Sequence, residues 1–121
     1  MDKNIWVVDD DESIRWVLEK GLAASGMDVQ TFDSANKVIK KLETENPQLI
    51  LTDIRMPGPS GIELLDKVKE LRPDIPVIIM TAHSDLDSAV ESYEHGAWEY
   101  LPKPFDIEEA VSMVQLSLIH I

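Results

Sequence analysis

Four short stretches of the chain each end an apolar run at a polar residue suited to phosphate or metal. They are Val7-Val8-Asp9-Asp10-Asp11, Leu51-Thr52-Asp53-Ile54-Arg55-Met56-Pro57-Gly58, Ile79-Met80-Thr81-Ala82 and Tyr100-Leu101-Pro102-Lys103-Pro104-Phe105. They supply a carboxylate cluster, a single aspartate, a hydroxyl and an ammonium. A carboxylate can attack a phosphoryl group to give an aspartyl phosphate. A hard cation such as Mg²⁺ is held by a few carboxylates together with waters. The set describes Mg²⁺-dependent phosphorylation of an aspartate, the chemistry of a signalling switch.

Each residue also has a plainer use. Asp11 or Ser13 suits the cap of a helix that carries Ile14. Capping leaves two further carboxylates at the strand end, where mutual repulsion raises the cost of ionising each. A bound divalent cation relieves that repulsion. A calcium loop of the EF-hand kind is excluded, because Ile14 stands where the turn requires glycine. Asp53 ends an apolar strand before the turn Met56-Pro57-Gly58; alone it would read as a cap, and its company makes it the acceptor. Lys103, stiffened by Pro102 and Pro104, can pair with Asp53 at rest and with phosphate afterwards. Thr81 offers a donor to a phosphate oxygen, although a Thr in a strand needs no further explanation when it stands alone.

These residues can meet only if the elements carrying them are arranged in parallel. Ile5–Val8, Val29–Phe32, Leu49–Thr52, Val77–Met80 and Trp98–Leu101 read as strands, the second as an edge strand. Between and after them run helix-spaced stripes: Ile14, Val17, Leu18, Leu22; Ala35, Val38, Ile39, Leu42; Ile62, Leu65, Val68; Leu86, Ala89, Val90, Tyr93; and Ile107, Ala110, Val111, Val114. Gly26, Asn46-Pro47, Pro73 and Gly96 supply the stops. Five strands alternating with five helices predict an α/β fold, a parallel sheet with right-handed crossovers covered on both faces. In such a sheet ligands bind outside the carboxyl ends of the strands, where these four run ends converge.

Composition sets the outer limits. A chain of 121 residues is one domain with a real core. Lys plus Arg is 11 against 23 Asp plus Glu, a formal charge of −12, so the surface repels nucleic acid phosphate and direct DNA binding by this segment is not expected. The absence of cysteine excludes disulfides, zinc-thiolate sites and thiol catalysis. No apolar run approaches the roughly 20 residues of a membrane span, and no basic-then-apolar leader opens the chain; the cytoplasm is the expected location, with no membrane partner. Leu116-Ser117-Leu118-Ile119-His120-Ile121 departs from the pattern, with apolar residues where the last helix should be solvated. It also resembles the translation of a transposon-type sequencing adapter. Residues 1–115 are therefore expected to be the domain, and 116–121 a non-native tail replacing the rest of a longer regulator.

With these motifs in place, residues 3–115 resemble a response-regulator receiver domain. Ser13-Ile14-Arg15-Trp16-Val17-Leu18, Met80-Thr81-Ala82-His83-Ser84-Asp85-Leu86-Asp87 and Tyr100-Leu101-Pro102-Lys103-Pro104-Phe105-Asp106 are similar to the nitrogen-regulation protein C subgroup, whose members activate sigma-54 polymerase. The resemblance implies a flavodoxin-like sheet of order 2-1-3-4-5. It makes Asp53 the acceptor of phosphate from a sensor histidine kinase. Asp10, Asp53 and the main-chain carbonyl of Arg55 would ligate Mg²⁺, with Asp9 acting through a water. The run of three aspartates leaves this register open by one, so Asp11 remains a weaker candidate. Thr81 and Lys103 would bind the phosphate and Tyr100 would be the switch aromatic. Arg55 and His83 would set the phosphoryl lifetime, and the Lys103–Pro104 bond would be cis. Phosphorylation would shift a two-state equilibrium in the helix at Ser84–Glu94 and the fifth strand, presenting a face for dimerisation or for an output domain. Two other readings are a stand-alone receiver and a haloacid-dehalogenase-like phosphohydrolase. The latter matches Asp9-Asp10-Asp11 superficially but lacks a late acidic pair.

Overall fold

The computed structural model describes residues 4–82 and 85–119. Strands β1 (Asn4–Val8), β2 (Asp28–Phe32), β3 (Leu49–Asp53), β4 (Val77–Ala82) and β5 (Glu99–Lys103) alternate with helices. The helices are α1 (Glu12–Ala24), α2 (Ala35–Lys41), α3 (Gly61–Leu71), α4 (Leu86–Glu94) and α5 (Ile107–Ile119). The strands form one parallel sheet in the order β2-β1-β3-β4-β5.

Alternation along each strand divides the core into two layers. Trp6, Val8, Ile50, Val77 and Ile79 face α2 and α3, meeting Val38, Leu42, Leu64 and Val68. Ile5, Val7, Leu49, Leu51, Ile78 and Met80 pack with Leu18 and Leu22 of α1 and Ala110 and Val114 of α5. Asp53 shares the parity of Leu49 and Leu51, and Lys103 that of Leu101, so both leave the sheet on the α1/α5 side. Thr81 shares the parity of Val77 and Ile79, on the other side.

Strand ends depart from the apolar runs because backbone pairing, not side-chain polarity, terminates a ladder. β4 runs on to Ala82, paired with Lys103, and β5 begins at Glu99 rather than Trp98. Pro102 fits within β5 because that strand is an edge. Helix α2 stops at Lys41, although Leu42 is still buried.

Helix α4 departs more. It begins at Leu86 after Asp85, the expected start at Ser84 lying outside the described residues, and its expected stripe is turned: Ala89 is buried, but Val90 and Tyr93 are 51% and 43% exposed. Ser92 is buried in their place, its hydroxyl donating to Ala89 O at 2.7 Å. Small residues let the helix approach the sheet closely while Val90 and Tyr93 stay outside. At the C-terminus α5 continues to Ile119, with Ser117 buried and Leu116 and Ile119 exposed.

Candidate functional site

The strand ends of β1, β3 and β5 bring one ammonium between two carboxylates. Lys103 Nζ lies 2.8 Å from Asp9 Oδ2 and 3.3 Å from Asp53 Oδ1. Asp9 is wholly buried, and its other oxygen accepts from the amide of Asp11 at 2.9 Å. Asp10 is exposed. One carboxylate oxygen from each of Asp9, Asp10 and Asp53 falls within 4.8 Å of the others. Asp11 is turned away as the N-cap of α1, its Oδ1 accepting from the amides of Ser13 and Ile14 at 2.8 and 3.4 Å.

Burial, and then the charge of Asp9, raise the Asp53 carboxyl above the ordinary value of 3.8; Lys103 only partly offsets them. Burial works against the charge of Lys103, yet its hydrogen bond to Asp9 and the fields of both carboxylates outweigh that and raise its pKa. Three carboxylates against one ammonium leave two net negative charges, the deficit a divalent cation neutralises. Hard oxygen donors, few in number and open to water at Asp10, suit Mg²⁺.

The remaining expected residues are placed around this centre. Thr81, 3% exposed, lies one residue beyond Met80, the register partner of Asp53, and its hydroxyl points back to Ala82 O at 3.5 Å. The peptide bond between Lys103 and Pro104 is cis. Tyr100 is not at the carboxylates: it packs against the α2/α3 layer and meets Tyr93 edge-on at 5.7 Å between ring centroids. The Arg55 side chain also leaves the centre, its Nε 2.9 Å from Oδ2 of Asp85 at the start of α4. His83 lies outside the described residues.

A profile of the response regulator receiver domain matches residues 5–115. The chain belongs to the response regulator receiver domains. It is 55% identical over 116 residues to the DNA-binding transcriptional regulator NtrC of Salmonella typhimurium, an alignment covering 96% of this chain and 25% of that protein. The chain thus spans about a quarter of the length of the curated relatives it matches. It overlays the apo receiver domain of nitrogen regulatory protein C with a TM-score of 0.89 at 54% identity, covering 99% of this chain and 98% of that one. For the BeF3-activated form of that domain, at the same identity and coverage, the TM-score is 0.84. This receiver is an NtrC-type domain.

Two residues that hold the receiver's site together have only faint signals in the sequence. Arg15, one turn after the Asp11 cap, reaches back so that Nη1 donates to Asp9 O at 2.6 Å. Gly61, the first residue of α3, lies so close to β3 that a Cβ there would overlap Asp53 O and come 2.8 Å from Ile54 Cα. Ser60 and Glu63 form a capping box around it, and a glycine opening an otherwise well-capped helix was the available clue. The structure also argues against a nucleophilic Asp9, since the residue is buried with both oxygens engaged.

Proposed function

We propose that this receiver domain is a phosphoacceptor switch in which Asp53 takes a phosphoryl group from the phosphohistidine of a sensor histidine kinase. An Asp53 oxygen forms the new O–P bond as the N–P bond breaks, and the imidazole nitrogen keeps the electron pair and takes a proton from water. The observation that supports this reading is the meeting of Asp53 with two further carboxylates, Asp9 and Asp10, and with Lys103 3.3 Å from its oxygen. Asp10, Asp53 and the Arg55 carbonyl would hold Mg²⁺, with Asp9 acting through a water. The capping role of Asp11 favours this register. When bound, the ion neutralises charge on the carboxylates and on the incoming phosphoryl oxygens.

Lys103 turns from its resting carboxylates to the phosphoryl group, and the Thr81 hydroxyl leaves Ala82 O to donate to it. The Thr81–Asp85 connection and Tyr100 then shift α4 and β5 between two arrangements through differential contacts. Arg55 and His83 set the lifetime of the phosphoryl group. Residues 1–115 are the receiver unit and 116–121 a non-native continuation. The longer regulator activates sigma-54-dependent transcription in nitrogen regulation, a reading supported by curated relatives about four times the chain's length that are DNA-binding transcriptional regulators. It acts in the cytoplasm, and its phosphorylated form dimerises or docks on the output domain. Among the described residues no helix is long and apolar enough to cross a membrane.

Incubation with acetyl phosphate and Mg²⁺, followed by intact mass, tests the central step. One phosphoryl adduct on the wild type and none on Asp53→Asn is the expected result. Incorporation into Asp53→Asn at the wild-type rate would refute the assignment.

A further inference from the structure

Helix α4 meets α3 through a polar contact at its C-terminal end. The described side chains it buries deeply are Ala89 and Ser92, which are small, and the second is polar. At its C-terminal end His95 is the cap residue, and its Nδ1 lies 2.6 Å from Oδ1 of Asp66 on α3. The Lys69 side chain of α3 lies over Gly96, leaving only 3.1 Å to the position of a Cβ there. Between the two helices runs an open cleft of about 660 Å³ lined by Ile54, Met56, Ile62, Glu63, Asp66 and His95. The Asp66–His95 contact therefore bridges a gap that apolar packing does not close.

We propose that His95 and Asp66 form a pH-dependent clasp that holds the C-terminal end of α4 against α3 in the resting conformation, so that switching costs more as pH falls. The proposal rests on the phosphoacceptor reading above, because α4 is the element that reading moves.

The carboxylates around the ring favour an imidazolium, and the cations Lys69 and Arg55 oppose it. Asp66 faces it from α3, and Glu91 Oε1 is 4.0 Å from Nε2 on its own helix, with Glu94 also contributing. Lys69 of α3 passes nearby over Gly96, while Glu63 of α3 and Arg55 of the β3–α3 loop line the same cleft. The last turn of α4 carries no basic residue, so an imidazolium at its cap also meets the negative end of the helix. The hydrogen bond to Asp66 raises the His95 pKa above 6.5; burial opposes this, and the charges of Asp66, Glu91 and Glu94 add to the rise. A raised imidazole pKa means the clasp is complete below the ordinary histidine value and is lost as pH rises through the raised one.

Backbone amide spectra of the chain, recorded from pH 6 to 8.5 with and without beryllofluoride and Mg²⁺, test the clasp. A His83→Gln, His120→Gln background leaves His95 as the only imidazole. In the free protein the α4 amides should move along the line toward their beryllofluoride positions as pH rises. The resting-to-switched ratio should change roughly two- to fivefold, the size of one charge at a helix terminus. His95→Gln should abolish that movement, and Asp66→Asn should lower its midpoint and shrink it. Titration of the His95 ring with the Asp85–Ser88 amides unmoved would overturn the clasp, as would wild-type pH dependence in His95→Gln. A beryllofluoride response without a pH response overturns the clasp alone. No beryllofluoride response in any variant overturns the phosphoacceptor reading, and the clasp with it.

Discussion

Lys103 Nζ lies 2.8 Å from Asp9 Oδ2, and Asp9 has no surface open to solvent. The ammonium is held more closely by this carboxylate than by Asp53, the proposed acceptor, at 3.3 Å. Removing it should therefore damage the fold as well as the chemistry. Lys103→Met leaves Asp9 charged, buried and unpaired, with an expected loss of about 3 kcal/mol in urea unfolding. Added Mg²⁺ should return part of that loss by binding the same carboxylates. An unfolding midpoint equal to wild type would show that the pair contributes nothing.

The three consecutive aspartates should divide sharply in metal binding. By calorimetric titration with Mg²⁺, Asp10→Asn should bind many-fold more weakly than wild type, and Asp11→Asn about as well. Asn is also a good helix cap, so Asp11→Asn should keep its stability, while Asp11→Ala should lose about 1 kcal/mol. The reverse order of Mg²⁺ affinities would move the ligand register by one residue.

Asp53 should make the fold less stable once it ionises. Its folded pKa is raised by burial and by Asp9, so the folded state binds its proton more tightly than the unfolded chain does. Stability is favoured below the unfolded value of 3.8 and falls as pH rises through the raised folded value. Asp53→Asn should accordingly be more stable than wild type at pH 7 without Mg²⁺. The difference should vanish as pH falls below the unfolded carboxyl range. Comparing the two proteins across pH cancels the carboxylates far from Asp53, and a constant difference would contradict the raised pKa.

Gly61→Ala should disturb Asp53, the proposed acceptor, without touching a charged group. A Cβ there meets the Asp53 carbonyl and comes 2.8 Å from Ile54 Cα, both of them backbone that cannot step aside cheaply. The expected cost is about 1–3 kcal/mol, with slower phosphoryl incorporation from acetyl phosphate. Wild-type stability and rate would show that α3 can shift freely.

By itself the sequence determined the parallel α/β layout, because hydrophobic patterning is a local property: the short continuous apolar run Leu49–Leu51 and the helical spacing of Leu64, Leu65 and Val68 survive whatever they pack against. It also brought Asp53, Thr81 and Lys103 to one sheet edge, since parallel strands share a direction. Three matters were left to the tertiary structure. Asp9 became the buried partner of Lys103, 94 residues away, because layer packing decides which of three neighbouring carboxylates turns inward. Helix α4 buried Ser92 and exposed Tyr93 because the rotation of a small-residue face depends on how closely it meets the sheet. Asp66 met His95 through the placement of two helices, and nothing in the spacing of either helix encodes the distance between them.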